Sequence, residues 1–403
     1  MTAKNNIKDK AAIIGVGETI YNRESGRSEL EMAVEAAEKA IVDAGLTSSD
    51  IDGILKFTAD STPQGELAAC LGIPNLRYYG ELGPLGGAAC GLVIQAAMAV
   101  ANGMANNVMV FRSVNGRSGA RYGSGVVTTR RGQGTSAFTE PYGLLVPGQS
   151  SAMRARRHMY EFGTKIEHFG GVALAFRKHA CLNPNAIMYG RPITMDDYLN
   201  SKVFFDPLRI FDCALEADGA NAFIISSADH TSGSSKPPVF IMGAGQSLPA
   251  GMGDRGGNWD ENGASRLAPE LFASAGVKPE DIDVVGFYDH FSPVIITKLE
   301  DYGFCNRGEG GPFVSDGRIE LGGQLPVNTS GGHLSEAYLQ GMNQIIEVVR
   351  QLRRESYAQV DNAELGLVDS GDGSGALILL SLIHISEPTR PRLSSYAVFC
   401  LKK

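Results

Sequence analysis

The chain has 403 residues, of which 43% are hydrophobic, so it is long and apolar enough to bury a large globular core. Its formal net charge of −8 argues against general nucleic-acid binding, although the basic stretches "TTRRG" and "RARRH" could each receive a phosphate. No apolar run reaches the length of a bilayer span, and the first residues, "MTAKNNIKDKAAIIG", lack a signal-peptide core. We therefore expect a cytoplasmic protein that binds neither a membrane nor nucleic acid.

The cysteines and histidines indicate neither disulfides nor a metal centre. The six cysteines are scattered without CxxC spacing, and the seven histidines include no HExxH pair. We predict reduced thiols and no bound metal.

Two stretches of the chain share one layout. "DAGLTSSDIDGILKFT" (Asp43–Thr58) and "SAGVKPEDIDVVGFYD" (Ser274–Asp289) each end an amphipathic helix at a glycine, turn through Asp-Ile-Asp and enter an apolar strand. A strand-like segment with a Gly-x-Gly pair precedes each copy: "AAIIGVGE" and "VFIMGAGQ". The pattern predicts a duplicated α/β chain with sheets covered by helices, and ordinary helix-to-strand connections are the alternative. The Gly-x-Gly pairs are weak evidence for dinucleotide binding, because neither continues into a full GxGxxG motif.

The segment "PLGGAACGLVIQAAMAVANG" runs from a glycine-rich loop into an alanine-rich helix that contains Cys90. A cysteine at a helix N-terminus is activated by the helix dipole, so Cys90 could be a nucleophile. If the helix begins near Gly86 or Gly87, Cys90 lies beyond that influence among apolar neighbours. We expect a buried, inert thiol.

The middle of the chain, about residues 115–191, belongs to no simple repeating unit. It begins as a long loop, "NGRSGARYGSGVVTTRRGQGTSAFTEPYG", and continues as a helical stretch. Loops of this length are usually functional. The segment could form a lid or wall over a substrate, with arginine and lysine side chains available for phosphates, or it could form an interface.

The second half carries two polar motifs and an atypical end. The motifs are "GFYDHFSP" (Gly286–Pro293) and "GGHLSEAY" (Gly331–Tyr338).

The last residues, Ser381–Lys403, follow a strand-like segment and are similar to translated vector read-through. We exclude this tail, including His384 and Cys400, from the interpretation of the fold.

Several segments together resemble the thiolase superfamily, in its sterol-carrier-protein-x branch. They are the duplicated halves, "RHMYEFGTKIEHF" with "RKHACLNPNA", and "CALEADGANAFIISS". The resemblance implies a five-layer αβαβα fold, normally dimeric, that acts on acyl-CoA thioesters. It divides the chain into an N-terminal half, residues 11–237, which contains the 115–191 insertion, and a C-terminal half, residues 238–380.

The sequence departs from the thiolase pattern at the catalytic positions. The nucleophile's position falls on Gly86, and Cys90 lies four residues later. The activating histidine's position falls on Gly332, so that His333 is displaced by one residue. A further cysteine expected near "VDSGDGSG" is absent. The resemblance therefore implies a retained fold without the acyl-transfer apparatus.

The same motifs resemble lipid-transfer-protein-like aldolases that remove steroid side chains. Those enzymes split a β-hydroxyacyl-CoA into a ketone and a shorter acyl-CoA, such as propionyl-CoA, and pair with a small OB-fold, zinc-ribbon protein. The CoA is part of the substrate, so no separate cofactor is implied. This chemistry needs a base, enolate stabilisation and an acid, but no covalent cysteine.

The two motifs supply the candidate catalytic groups. Tyr288 and Tyr338 could exchange the proton, provided that a neighbouring cation or strong donor lowers a phenol pKa from its ordinary value of about 10. His290 and His333 are candidates for that role, with Asp289 available to orient an imidazole. The alternative is that the tyrosines only pack. A true thiolase using Cys90, or a noncatalytic acyl-CoA or sterol carrier, would also fit the resemblance.

Overall fold

The computed structural model describes residues 7–83, 88–119, 121, 136–247, 263–371 and 375–381. The strands are β1 (Ala11–Glu18), β2 (Gly53–Phe57), β3 (Tyr78–Leu82), β4 (Asn107–Asn115), β5 (Val203–Phe205), β6 (Leu208–Arg209), β7 (Asp218–Ser227), β8 (Val239–Gly245), β9 (Val284–Phe287), β10 (Leu365–Ser370) and β11 (Gly375–Ser381). The α-helices are α1 (Glu29–Ala44), α2 (Gln64–Leu71), α3 (Ala88–Ala101), α4 (Ser136–Thr139), α5 (Pro147–Phe162), α6 (Ile166–Leu182), α7 (Met195–Leu199), α8 (Gly263–Ala275), α9 (Ser292–Asp301), α10 (Gly310–Ser315), α11 (Gly332–Ser335) and α12 (Met342–Arg353).

One nine-stranded sheet joins the two predicted halves. Its order is β3-β2-β4-β7-β1-β8-β11-β10-β9, and a separate hairpin pairs β5 with β6. The first five strands come from the N-terminal half and the last four from the C-terminal half. The halves join where Ala12 and Ile13 of β1 pair with Phe240 and Val239 of β8. β8 begins just after the boundary expected at 237/238, but the division into two domains stays a prediction.

Alternating side chains place helices on both faces of each half-sheet. In β7, Ile224 packs with α1 and α2, whereas Phe223 packs with α3 and α12. In β11, Leu377 packs with α3 and α12, whereas Ile378 packs with α6, α8 and α9. The helices α3 and α12 thus form a central layer between the half-sheets. The predicted five-layer αβαβα fold is confirmed.

The Gly-x-Gly pairs lie within strands and allow helices to approach the sheet. A Cβ at Gly17 of β1 would lie 2.1 Å from the Ala36 carbonyl oxygen of α1. A Cβ at Gly245 of β8 would lie 2.6 Å from Leu267 Cδ1 of α8. The same packing arrangement therefore recurs in both halves, and neither pair forms a nucleotide-binding turn.

The duplicated turn has the same geometry in both copies. Asp52 accepts hydrogen bonds from the backbone N–H groups of Asn106 and Asn107, at 2.8 and 2.9 Å. Asp283 accepts in the same way from Glu364 and Leu365, at 2.8 and 2.9 Å. In each copy the second aspartate of Asp-Ile-Asp thus fixes the start of the strand next to its own.

The described part of the 115–191 insertion both packs against the C-terminal half and lines a cavity. Helix α6 contacts α9, α10 and α11. His158 of α5 contacts Glu300 of α9, with Nε2 3.1 Å from Oε1. The start of α5 lines the cavity described below. The described residues thus line a cavity and pack within the chain, while a role over a substrate or at an interface stays a prediction.

Two remaining expectations concern the end of the chain and membranes. Ser381 is the last residue of β11, so the strand includes the first residue of the excluded tail, while 382–403, with His384 and Cys400, lie outside the described residues.

In the described part of the chain, no helix combines the length and apolarity needed to cross a bilayer.

Candidate active site

The two motif loops of the C-terminal half meet where β9 ends. Tyr288 directly follows β9, and its backbone N–H donates to the Asp369 carbonyl of β10 at 3.0 Å. Tyr338 lies between α11 and α12, and its N–H donates to the Leu215 carbonyl at 3.0 Å. Each tyrosine is thus held by a backbone bond to a different segment.

The phenols of the two tyrosines form a hydrogen-bonded pair. Their hydroxyl oxygens lie 2.7 Å apart. The Tyr288 side chain is buried, whereas Tyr338 lines the cavity. The predicted convergence of the two tyrosines is confirmed, and Tyr338 is the member of the pair that reaches the cavity.

His333 packs between the two phenol rings as a neutral imidazole. Its ring centroid lies 4.7 Å from that of Tyr288 and 4.9 Å from that of Tyr338, with the rings edge to face. Nε2 accepts a hydrogen bond from the Gly341 N–H at 3.0 Å, which assigns the proton to Nδ1. Burial, with the nearby charges of His290 and Lys298, holds the pKa of His333 well below its ordinary value. His333 is therefore neutral beside the two phenols, and its role as a strong donor to a phenol stays a prediction.

Asp289 orients backbone N–H groups instead of an imidazole. Its carboxylate accepts from the N–H groups of His333 at 2.8 Å and Leu334 at 3.1 Å, and from Gln344 Nε2 at 2.9 Å. The His333 Nδ1 lies 3.4 Å from Oδ1 and makes no hydrogen bond with it. Burial raises the pKa of Asp289 to about 7, although these hydrogen bonds oppose the rise. The hydrogen bonds of Asp289 thus go to the start of α11 and to Gln344, while the His333 ring lies beside its carboxylate, and its role in orienting a histidine stays a prediction.

The structure also explains the glycine at the position of the thiolase histidine. Gly332 has φ of +58°, a backbone conformation that favours glycine. A Cβ there would lie 2.4 Å from Asp289 Oδ2. The close approach of Asp289 to α11 therefore excludes a side chain at residue 332.

His290 lies beside the tyrosine pair at the cavity wall. Its ring centroid is 5.2 Å from that of Tyr288, and its side chain lines the cavity. The His290 carbonyl accepts from the Ala214 N–H at 3.0 Å. Of the two predicted histidines, His290 is the one that a substrate in the cavity could contact.

A buried ion pair lies behind Tyr288, and the sequence analysis did not identify it. Lys298 of α9 pairs with the Asp369 carboxylate of β10 and donates to the Gly371 carbonyl at 2.9 Å. The Tyr302 hydroxyl donates to the same carboxylate at 2.6 Å. Lys298 Nζ lies 5.8 Å from the centre of the Tyr288 ring. A lysine among the apolar residues of "SPVIITKLED" was the signal that could have revealed this pair.

Cys90 is buried in the first turn of helix α3, whose described residues begin at Ala88. Its Sγ lies 3.8 Å from the Val368 carbonyl, and its N–H donates to Ser370 Oγ at 2.9 Å. Burial raises the pKa of the Cys90 thiol to about 12, so a thiolate is strongly disfavoured. The prediction of a buried thiol is confirmed, its inertness stays a prediction, and Gly86 lies outside the described residues.

A cavity of about 600 Å³ opens beside Tyr338 and His290. Its wall contains aromatic and aliphatic residues as well as three arginines and a glutamate. The lining residues are Arg23, Arg117, Arg121, Val146, Pro147, Gly148, Phe204, Phe205, Ile210, Cys213, Ala214, Leu215, Glu216, His290, Phe291 and Tyr338. The cavity thus combines a large apolar surface, two groups able to transfer protons, and three arginines.

The pair of phenols suits proton transfer without a covalent intermediate. Two hydroxyl groups at hydrogen-bond distance can share one proton, and a phenolate is stabilised by accepting from its neighbour. The described residues contain no group of three or more His, Cys, Asp or Glu side chains placed to hold a metal.

Comparisons with known proteins identify the family. Residues 254–383 match the family model described as "Thiolase C-terminal domain-like". The "Steroid side-chain-cleaving aldolase" of Thermomonospora curvata is 42% identical, over 90% of this chain and 95% of that protein. The "17-hydroxy-3-oxo-4-pregnene-20-carboxyl-CoA lyase" of Mycobacterium tuberculosis is 41% identical, over 91% of this chain and 97% of that protein.

A solved structure agrees with these relatives. The structure of the "Ltp2-ChsH2(DUF35) aldolase" is 41% identical and superposes with a TM-score of 0.88, covering 94% of this chain and 99% of that one. The chain therefore belongs to the thiolase superfamily, within the group of carbon–carbon lyases that these aldolases represent.

Proposed function

We propose that this lyase cleaves a β-hydroxyacyl-CoA with a bulky, steroid-like acyl group into a ketone and a shorter acyl-CoA such as propionyl-CoA. The observation that carries the proposal is the Tyr288–Tyr338 hydroxyl pair at 2.7 Å, with Tyr338 at the wall of a large, partly aromatic cavity. The names of the two relatives, which specify steroid side chains and a carboxyl-CoA ester, support this substrate class.

The proton steps follow from the positions of the phenols. A Tyr338 phenolate, stabilised by the Tyr288 hydroxyl, accepts the proton of the substrate's β-hydroxyl. The β-carbon then becomes a ketone as the Cα–Cβ bond breaks, and its electron pair passes into the thioester enolate. Tyr338, now protonated, returns that proton to the α-carbon, which completes the shorter acyl-CoA and regenerates the phenolate. Tyr288 acts through Tyr338, and His290 is the second polar group that the substrate can contact.

The neighbouring residues fix this pair in place. Asp369 holds the Tyr288 backbone through its carbonyl and binds Lys298 and Tyr302 through its carboxylate. Asp289 holds the N-terminus of α11, the helix that leads into the loop of Tyr338. Both carboxylates are buried, so the two motif loops are positioned by interactions that water does not weaken.

The apolar wall suits a ring system. Phe204, Phe205 and Phe291 line the cavity with Ile210 and Leu215. Burial of a hydrocarbon ring system against such a wall yields about 25 cal/mol per Å² of apolar surface. The wall therefore favours a large, weakly polar acyl group.

The resemblance extends the proposal to partners and location. The similar solved structure is named for an aldolase together with a DUF35 protein, which supports a small OB-fold, zinc-ribbon partner for this chain. We also propose a homodimer, since β3 is an edge strand of the sheet with Tyr79 exposed. The described cysteines are free thiols, as in a protein of the reducing cytoplasm.

Product analysis tests the reaction. Incubation with 17-hydroxy-3-oxo-4-pregnene-20-carboxyl-CoA should give equal amounts of the 17-ketosteroid and propionyl-CoA by mass spectrometry, and the Tyr338→Phe variant should not. Transfer of an acyl group to free CoA would indicate a thiolase instead. Binding of the ester without turnover, by the chain alone and with its partner, would indicate a carrier.

A further inference from the structure

Two loops of the N-terminal half supply the arginines that line the cavity. Arg23 lies between β1 and α1, while Arg117 and Arg121 follow β4. Arg121 donates from Nε to Glu216 at 2.6 Å, and Glu216 also lines the cavity. Among the lining residues three arginines stand against one glutamate, and one positive charge remains in excess when the Asp218 carboxylate behind them is counted, in a chain whose net charge is −8.

Asp218 ties both arginine loops to the first residue of β7. On the loop of Arg117, its carboxylate accepts from the N–H of Arg117 at 2.9 Å, and from the N–H and hydroxyl of Ser118 at 3.0 and 2.6 Å. On the loop of Arg23, it accepts from the Ser25 N–H at 3.0 Å. The backbone of Asp218 also pairs with Asn22, the residue before Arg23.

These contacts hold Asp218 as a buried carboxylate. Its side chain is inaccessible to solvent. Burial alone would raise its pKa, but the hydrogen bonds from Ser118, Ser25 and Arg117 outweigh it, and the pKa is lowered. A fixed negative charge therefore lies directly behind the arginines and sets the backbone positions from which they reach the cavity.

We propose that Arg23, Arg117 and Arg121 form a binding site for an oxyanion of the substrate, and that Asp218 is its positioning residue. The oxyanion is either a phosphate of CoA or a carboxylate on the acyl group, because guanidinium groups recognise both with the same charge-assisted hydrogen bonds. The inference rests on the proposed function, since it assumes that the cavity receives the acyl-CoA substrate.

Binding measurements test the site without requiring turnover. The variants are Arg23→Gln, Arg117→Gln and their combination, and the control is Lys278→Gln, which removes the same charge from an exposed side chain outside the cavity lining. Calorimetry with free CoA as the probe should show about 10-fold weaker binding for each single variant and a larger loss for the double variant. Pantetheine, which contains no phosphate, should bind equally to wild type, the three arginine variants and the Lys278→Gln control.

A second probe separates the two sources of the oxyanion. A β-hydroxyacyl thioester of N-acetylcysteamine, made with and without a carboxylate on the acyl group, contains no CoA phosphate. If the arginine variants lose affinity only for CoA, the site binds a CoA phosphate. If they raise KM only for the carboxylated thioester, the site binds a carboxylate of the acyl group. Unchanged values for both probes, or equal losses in Lys278→Gln, would overturn the proposal. Lack of cleavage by the wild-type protein would reject the proposed function but not CoA binding.

Asp218→Asn tests the positioning role. An amide group in place of one carboxylate oxygen would face the N–H of Ser25 or Arg117 and lose those bonds. We expect KM for the anionic substrate to rise about 10-fold with kcat unchanged, because Tyr288 and Tyr338 are not displaced. Ser118→Ala removes one bond and should raise KM less, which keeps the test available if Asp218→Asn does not fold. A fall in kcat with constant KM in either variant would contradict the assignment.

Discussion

The Tyr288 hydroxyl lies 2.7 Å from the Tyr338 hydroxyl, although the residues are 50 positions apart in the chain. The phenol of Tyr288 is buried, and its hydroxyl meets that of Tyr338, which lines the cavity. If a proton passes from the substrate to Tyr338 and is shared with Tyr288, removing the two hydroxyls one at a time should lower kcat by different amounts.

Tyr338→Phe should lower kcat by about 10²–10⁴-fold, because it removes the hydroxyl that we propose as the group accepting the substrate's proton. Tyr288→Phe should also lower kcat, but by less, since Tyr338 keeps its contact and loses a hydrogen-bond donor. The double variant should be no slower than Tyr338→Phe, because the two hydroxyls work as one unit. Steady-state kinetics on the acyl-CoA substrate measure all three.

A matched control for these variants is Tyr357→Phe, which removes the hydroxyl of an exposed tyrosine outside the cavity lining and should leave kcat unchanged. If both active-site variants keep more than half of wild-type kcat while chemistry limits the rate, the tyrosine assignment is wrong. His290 would then be the leading base, since its side chain also lines the cavity.

Cys90→Ala should leave kcat within a few-fold of wild type. The thiol is buried, and burial raises its pKa to about 12, which disfavours the nucleophilic thiolate near neutral pH. The variant should lose about 1 kcal/mol of stability from the small cavity that it creates. The measurement is the kcat of wild type and of Cys90→Ala, each before and after treatment with iodoacetamide, and we expect similar values for both proteins. An acyl group trapped on Cys90 by mass spectrometry would contradict both this prediction and the lyase mechanism.

The sequence predicted those features whose causes are local. The glycine and Asp-Ile-Asp turns of the two halves are recognisable because helix ends and turns depend on neighbouring residues. The convergence of Tyr288 and Tyr338 followed from the positions of their motifs in the family. These features share one property: the residues that determine them lie within a few positions of each other or within a known motif.

The electrostatic roles could not be predicted, because they depend on contacts between distant segments. Asp289 was expected to be available to orient an imidazole, and nothing in the sequence shows that its carboxylate accepts from the N–H of His333 in α11 or that the His333 imidazole accepts from the Gly341 N–H. The arginine site requires Arg23 and Arg117 to meet at Asp218, and no local pattern shows that these positions adjoin. Burial, which sets the pKa of each group, is likewise a property of the folded chain.

His333 should remain neutral throughout the working pH range. Its Nε2 accepts from the Gly341 N–H, and burial holds its pKa well below the ordinary value. Nitrogen NMR shifts of the imidazole should therefore show no titration between about pH 5.5 and pH 8, where ordinary histidines titrate. His333→Gln should keep the shape of the pH–rate profile, and a titration midpoint inside that range would contradict the assignment.

Full activity should require a second protein. The similar solved aldolase is named together with a DUF35 protein, and we expect this chain alone to turn over slowly or to be poorly soluble. Co-expression with such a partner should raise kcat/KM, while co-expression with an unrelated OB-fold protein should not. Full turnover by the purified single chain would count against a required partner.

The Asp289 carboxyl should make the protein less stable as the pH rises from about 4 to about 7. Its folded-state pKa is raised to about 7 by burial, whereas an aspartate in an unfolded chain titrates at about 3.9. Between these values the folded chain binds a proton that the unfolded chain has released, so a higher pH favours unfolding. The contribution of Asp289 to the free energy of unfolding is therefore fully present below the unfolded-state pKa of about 3.9 and is lost as the pH rises through the folded-state pKa of about 7.

Urea unfolding of wild type and Asp289→Asn at several pH values measures this effect, because the asparagine cannot titrate. The free energy of unfolding of wild type should fall relative to that of the variant, by at most about 1.4 kcal/mol per pH unit. Asp60, whose pKa burial raises to about 6, adds a slope in the same direction to both proteins and cancels in the difference. The exposed Asp316 provides the control, since Asp316→Asn should leave the wild-type slope unchanged. A difference between wild type and Asp289→Asn that stays constant from pH 4 to 7 would show that the carboxylate is ionised throughout, held by its three N–H donors.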